Sequence, residues 1–303
     1  MTMNVEPNRS FDLRAYLSIR RARIDATLES YLAIEEPRAL YEAMRYSLLA
    51  GGKRLRPILC LAACELAGPR AEIALPTACA IEMIHTMSLI HDDLPAMDDG
   101  DYRRGRLTNH KMHGEALAIL AGDSLLAHSF ELIARRTVGV PAQRTLAVIA
   151  ELGRAAGPRG LAGGQVEDLA HEGKYGVGVE ALEDIHTRKT GALLEASVLS
   201  GAILGGADAL TTARLRRYAQ RLGLAFQIVD DILDLTSTCE AVGKSVGKDA
   251  SARKATYPSV LGLAESHRHV EVLIEHAMSD LACFGDRATP LVALAASLAQ
   301  SLG

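Results

Sequence analysis

Aromatic residues make up only 4% of the 303-residue chain, and no run alternates β-branched with polar residues. That excludes an architecture built mainly of strands. Cysteine is scarce and scattered: Cys60, Cys64, Cys79, Cys239 and Cys283 form no CxxC pair. Neither a zinc site nor a disulfide framework is signalled, and thiols spaced this way read as buried and reduced. Positive charge is not in excess either. A net charge of −4 excludes a binder that works by bulk attraction to phosphate backbones, so no nucleic-acid partner is expected. No uncharged run reaches the roughly 18 residues of a membrane span. The N-terminal stretch lacks the apolar core of a signal peptide, and no repeat or low-complexity tract occurs. The expectation is a soluble, cytoplasmic protein with no membrane span.

What the chain has is alanine and leucine at helical spacing, with 49% apolar residues, enough for a large core. "EIALPTACAIEMIHTMSLIHDD", "ALEDIHTRKTGALLEASVLSGAILGG" and "LTTARLRRYAQRLGLAFQIVDDILDL" read as long helices, the first apolar on most faces and therefore buried. Amphipathic helices are expected over about 12–33, 38–50, 57–67, 112–136, 142–156, 256–280 and 288–302, with breaks where Gly and Pro cluster. None of the breaks is long enough for an interdomain linker. The fold class read from this is all-α: a single domain over 1–303, one large helical bundle around a central apolar cavity.

Against that apolar background, "HDDLPAMDDGDYRRG" places Asp92, Asp93, Asp98, Asp99 and Asp101 beside Arg103 and Arg104. Two like charges about 4 Å apart repel by about 4 kcal/mol at a surface-like dielectric, so such a cluster asks for a cation. Pro95 disfavours helical geometry at Leu94, which predicts a helix end near Asp93 and a loop that folds Asp98 back toward Asp92. An isolated acidic run reads equally as a solvated loop. A second cluster, "QIVDDILDL", sets Asp230 and Asp234 at i, i+4 on one helical face among apolar neighbours, where carboxylates need partners. Oxygen ligands without Cys suit Mg²⁺, which takes one or two carboxylates and completes its shell with water and phosphate.

Basic residues provide the anion side. "GGKRLRP" offers Lys53, Arg54 and Arg56 before a helix whose expected first residue is Pro57. Exposed charges on a helix–helix turn are the plain alternative. Lys189–Thr190 in "HTRKTGAL", and Lys244, Lys248 and Lys254 in "GKSVGKDASARKATYP", are individually weak signals that a solvated lysine would also give. His85 lies two turns before Asp92 on the same face, and Gln227 sits at i−3 from Asp230.

Taken in order, "GGKRLRP", "DDLPAMD" with "RRG", "KTGAL", "FQIVDDILD" and "GK…K" resemble the motifs of the trans-type isoprenyl diphosphate synthases, or polyprenyl synthetases. The resemblance spans most of the chain. It implies an all-α bundle, a homodimer, isoprenyl diphosphates as substrates, and Mg²⁺ as cofactor with Mn²⁺ as a substitute. By that resemblance Lys53, Arg56, His85 and Arg104 would bind isopentenyl diphosphate. Arg103, Lys189, Thr190, Gln227 and Lys244 would serve the allylic diphosphate, and Lys254 is a further substrate-binding candidate. Asp92, Asp98 and Asp230 would hold metal, with Asp93 and Asp234 supporting catalysis.

The growing chain would run back along the helix before Asp92, with Met87 and Ser88 as its floor and Ile84 one turn further. No aromatic residue blocks these positions, as tends to happen in relatives that stop at fifteen carbons. The expected main product is geranylgeranyl diphosphate, with farnesyl diphosphate as the alternative. Three rivals remain open on the sequence. A di-iron carboxylate protein would use the Glu82-Met-Ile-His85 and Glu183-Asp-Ile-His186 pairs. A terpene cyclase would not need "GGKRLRP". A non-catalytic regulatory subunit would be expected to have lost part of an aspartate motif.

Overall fold

A computed structural model describes residues 11–68, 70–173, 178–236 and 255–302. About four fifths of these are helical. The chain runs through α1 (Leu13–Tyr31), α2 (Arg38–Leu48), α3 (Leu55–Ala67) and α4 (Leu75–Asp92). A two-stranded hairpin, β1 (Tyr102–Arg103) and β2 (Arg106–Leu107), precedes α5 (Asn109–His113) and α6 (Glu115–Arg136). Then come α7 (Ala142–Ala156), α8 (Leu161–His171), α9 (Val179–His186), α10 (Ala192–Gly205) and α11 (Ala209–Thr236). The last helices are α12 (Tyr257–Leu261), α13 (Leu263–Leu281) and α14 (Thr289–Gln300).

The centre is α3, α4 and α10, each buried along most of its length. Small residues let these helices approach closely. A Cβ at Gly201 of α10 would collide with the Cys60 carbonyl of α3, so the glycine sets that spacing. Around this centre α6 packs on α4, α7 on α10, and α13 on α11.

Several expected boundaries moved, each for a local reason. α3 begins at Leu55, so Pro57 is its third residue rather than its first. A proline is tolerated there because the opening amides of a helix have no intrahelical partner. The expected helices 112–136 and 256–280 are each split, at Gly114 (φ 86°) and Gly262 (φ 83°), backbone angles that only glycine adopts freely. The stretch 181–206 is interrupted by a π-helical turn at Thr187–Gly191. The hairpin was not anticipated: Arg104 (φ 53°) and Gly105 (φ 73°) form a two-residue turn of the primed, left-handed kind that hairpins favour.

Three stretches, Ala71–Asp92, Glu115–Arg136 and Leu263–Gln300, are long and apolar enough to cross a membrane by length and composition, although none is a long uncharged run. In the first, 78% of the apolar window is buried inside the bundle. Its hydropathy is that of a core helix packed against α3, α6 and α10.

Candidate active site

α4 ends at Asp92, and Asp93 caps it. The chain then turns back on itself: the Asp98 amide donates to the Asp92 carbonyl at 2.9 Å, and Asp99 takes a left-handed backbone (φ 44°). Pro95 thus does what the sequence requires, and Asp98 returns to the level of Asp92. The two acids of the pair point different ways. Asp92 faces a cleft of about 380 Å³. Asp93 is only 4% exposed and takes a bidentate pair from Arg103, with Nε 2.7 Å from Oδ2 and Nη2 2.8 Å from Oδ1.

The far wall of the cleft is built by α8, the π-turn and α11. In a π-turn the ring of each hydrogen bond is wider, and Lys189 and Thr190 lie in it. Lys189 Nζ donates to Asp168 Oδ2 of α8 at 2.6 Å, and the Thr190 hydroxyl donates to Gln227 Oε1 at 2.9 Å. Gly164 makes this possible: a Cβ there would collide with the Lys189 backbone. Asp230 reaches the same cleft from α11.

The cleft therefore gathers Asp92, Asp98 and Asp230 with Lys189, Thr190 and Gln227, and adds Arg56 and His85. Its electrostatics are unbalanced. Burial pushes the Asp92 carboxyl above its ordinary value; Lys189 and Arg103 oppose that, while Asp98 and Asp93 add to it. Burial, with the guanidiniums of Arg56, Arg104, Arg103 and Arg54 behind it, holds the His85 imidazole well below its ordinary value. Burial likewise lowers Arg56, whose buried Nε has no hydrogen-bond partner. Burial works against the Arg103 charge too, but the Asp93 hydrogen bond and charge hold its pKa above the ordinary value. A desolvated Asp92 beside exposed Asp98 at one end, and a buried Arg56 Nε without a partner at the other, suit a bound anion bridged to the acids by hard cations. Among the described residues no group of three or more His, Cys, Asp or Glu side chains could hold a metal on its own. A diphosphate completing the shell fits that donor set.

Other expected residues lie elsewhere. Arg103 and Arg104 do not line the cleft; the hairpin sets them against a separate small space that Thr86, Asp93 and Thr108 also line. Arg104 Nη1 donates to the Gly51 carbonyl and its guanidinium lies where a Cβ on Gly52 would be. Lys53 is exposed and lines a neighbouring hollow of about 650 Å³. Phe226 lines both spaces. Asp234 is not part of the cleft lining. Met87, Ser88 and Ile84 are packed in the core, and Ser88 Oγ donates to the His85 carbonyl at 2.8 Å; the α4 residues that line the cleft are His85, Leu89 and Asp92. Lys244, Lys248 and Lys254 lie outside the described residues.

Sequence reasoning missed Asp168, His171 and Glu172, which α8 brings to the cleft. The polar positions of "GQVEDLAHE" at i, i+3 and i+4, counted from Asp168, were the available signal. It also counted Arg54 among the basic residues of "GGKRLRP", although the resemblance assigns binding there to Lys53 and Arg56. Arg54 is 3% exposed and saturated: it donates to Asp25 Oδ1 at 2.8 Å, Glu82 Oε1 at 2.6 Å and the Leu48 carbonyl at 2.8 Å. That pairing occupies Glu82, while Glu183 accepts from the Tyr257 hydroxyl and His186 faces Asp231. Both Glu-x-x-His pairs of the di-iron reading are thereby engaged in other contacts.

Residues 37–286 match the family described as polyprenyl synthetase. A dimethylallyltranstransferase of Fischerella ambigua (strain UTEX 1903) is 57% identical, over 94% of this chain and 83% of its own. A geranylgeranyl diphosphate synthase of Cyanophora paradoxa is 55% identical, over 94% of this chain and 95% of its own. Among solved structures, the apo form of an FPP/GFPP synthase from Zymomonas mobilis superposes with a TM-score of 0.86 at 36% identity, over 95% of this chain and 98% of that one.

Proposed function

The chain belongs to the polyprenyl synthetase family, and from that premise we propose that it condenses isopentenyl diphosphate with allylic diphosphates, with geranylgeranyl diphosphate as main product. The observation that carries this reading is the convergence of Asp92, Asp98 and Asp230 with Lys189 and Arg56 on one cleft. Members of this family are generally Mg²⁺-dependent. Asp92, Asp98 and Asp230 would hold Mg²⁺, or Mn²⁺ as its substitute, which when bound supplies neutralisation of the diphosphate charge.

The chain's own residues account for the rest. Lys189, with Arg103 held on Asp93, draws the allylic diphosphate against the acids, and Thr190 and Gln227 place polar oxygens beside its reacting carbon. As the C–O bond breaks, positive charge develops on the allyl group among Leu89, Leu182, Ile185 and Phe226. These side chains keep water away from the cation. Arg56, His85 and Arg104, with Lys53 at the mouth, hold isopentenyl diphosphate so that its double bond attacks that carbon. The proton lost from the adduct passes to the departed pyrophosphate.

The twenty-carbon product is supported by the Cyanophora relative and by the absence of an aromatic side chain at Met87 and Ser88. Farnesyl diphosphate is the second reading, favoured by the close packing of Ile84, Met87 and Ser88. The same reading makes the protein a cytoplasmic homodimer. Exposed Met112 on α5 and Ile119 and Leu120 on α6 support such a contact. The test is mass spectrometry of products from isopentenyl and dimethylallyl diphosphates with Mg²⁺. A twenty-carbon diphosphate is expected, and Met87→Tyr or Ser88→Phe should shift it to fifteen carbons at retained turnover. No prenyl product, or undiminished product in excess chelator, overturns the assignment.

A further inference from the structure

The second acid of the helical pair, Asp231, is 4% exposed and heavily engaged. Its Oδ1 accepts from Gln227 Nε2 at 3.0 Å. Its Oδ2 accepts from the Tyr257 backbone N–H at 3.0 Å and lies 3.2 Å from His186 Nε2. An ionised carboxylate can only accept, so that imidazole nitrogen carries the hydrogen. The three donors come from three segments: α11 itself, the last residue of α9 and the first residue of α12.

The contacts continue outward from there. Gln227 is held at both ends, its amide nitrogen by Asp231 and its amide oxygen by the Thr190 hydroxyl at 2.9 Å. The His186 ring stacks on Tyr257 with centroids 5.7 Å apart and planes 19° apart. The Tyr257 hydroxyl donates to Glu183 Oε1 at 3.0 Å, which ties α12 back to α9.

We propose that Asp231 is a positioning residue that sets the Gln227 amide and, through it, the Thr190 hydroxyl for the allylic substrate, and that it takes no part in holding metal. This rests on the prenyltransferase reading above. A carboxylate has about four lone-pair sites, and three of those on Asp231 face protein N–H groups. A cation drawing on either oxygen would compete with Gln227 or with the buried Tyr257 amide, and leaving such an amide without an acceptor costs more than the bond itself contributes. Asp231 lines the cleft together with Asp230, but both of its oxygens already accept from protein N–H groups there.

The experiment uses the full-length enzyme and four variants: Asp231→Asn, Gln227→Ala, the double variant, and Asp230→Ala as the metal-side reference. Turnover is followed at saturating isopentenyl diphosphate while Mg²⁺ and the allylic substrate are each titrated. Asp231→Asn keeps the shape but turns one acceptor into a donor. It should lower kcat by about 10- to 100-fold, the usual effect of losing a residue that orients a site group. Half-saturation by Mg²⁺ should stay within about twofold of wild type, whereas Asp230→Ala should raise it. The double variant should be little worse than Gln227→Ala alone, because both changes remove the same placement. A merely structural loss would lower the melting temperature and leave this coupling absent. The inference is overturned if Asp231→Asn raises the Mg²⁺ requirement as Asp230→Ala does, if it leaves kcat unchanged, or if its effect multiplies with that of Gln227→Ala. A wild-type protein that makes no prenyl product would instead overturn the reading on which the inference rests.

Discussion

The two aspartate pairs look alike in sequence and sit in opposite settings. Asp92–Asp93 ends a helix and begins a loop, while Asp230–Asp231 lies inside one. The second acid of each pair is 4% exposed and bound to protein donors, but the pairs meet the cleft differently: Asp92 lines it and Asp93 does not, whereas Asp230 and Asp231 both line it. Adjacent helical residues are about 100° apart, so one can face a cavity while its neighbour meets the wall. The difference lies in what the buried acid holds. Asp93 grips one cation, Arg103, with a two-point fork. Asp231 gathers hydrogen-bonding groups from three segments. The loop pair thus fixes a charge, and the helical pair aligns polar groups along the wall.

The strongest way to break this comparison is to remove the acids that face the cleft. Asp92→Ala, Asp98→Ala and Asp230→Ala should each lower kcat by on the order of 10²–10³-fold, since each withdraws charge stabilisation in the transition state. Steady-state kinetics at saturating Mg²⁺ checks this; a loss confined to one pair would mean that the two do not share a site.

A sharper contrast comes from the buried acid of the loop pair. Asp93→Asn should cost about 10- to 100-fold in kcat/KM for the allylic substrate, because the amide cannot hold the Arg103 fork. Arg103→Lys should reproduce most of that loss. If Arg103→Lys were silent, the fork would have no bearing on the substrate.

The basic end offers a smaller effect. Arg56→Ala should raise KM for isopentenyl diphosphate by about tenfold with kcat little changed, the loss expected of one charge-assisted hydrogen bond. Lys53→Ala should do less, since Lys53 faces the neighbouring hollow. Equal effects from both would place Lys53 in the same anion site.

The smallest expected effect concerns His85, which shares the cleft face of α4 with Asp92. Its folded pKa is held below the ordinary imidazole value of about 6.5. Below that value the unfolded chain takes a proton that the folded protein refuses, so stability falls as pH drops from there toward the folded pKa. The urea midpoint should therefore fall less between about pH 7 and about pH 5.5 in His85→Gln than in wild type. Identical pH dependence in the two proteins would show that folding does not shift the His85 pKa.

Much of this was legible in advance where local chemistry decides it. Pro95 does end the helix at the first aspartate pair, and helical spacing does put His85 and Asp92 on one face. The contact between Gln227 and Thr190 joins residues 37 positions apart, both marked beforehand. The hairpin was not legible, because strands of two residues carry no periodicity. Asp168 was missed because its meaning comes from Lys189, which packing sets opposite it.

The sequence by itself determined that the chain is helical, that carboxylates and basic residues gather near helix ends, and which family its ordered motifs resemble. These depend on spacing along the chain, on proline and glycine stereochemistry, and on the cost of crowding like charges. Only the tertiary structure decided how neighbouring, chemically identical residues divide their roles. Arg54 is locked on Glu82 in the core while Arg56 keeps a buried nitrogen without a partner; Asp92 lines the cleft while Asp93 is held away from it by Arg103, and Asp231 lines it with both oxygens held by protein donors. A charged side chain acquires its role from whether water, a partner or a cavity lies beside it, and that is set by which distant segments the packed helices bring opposite.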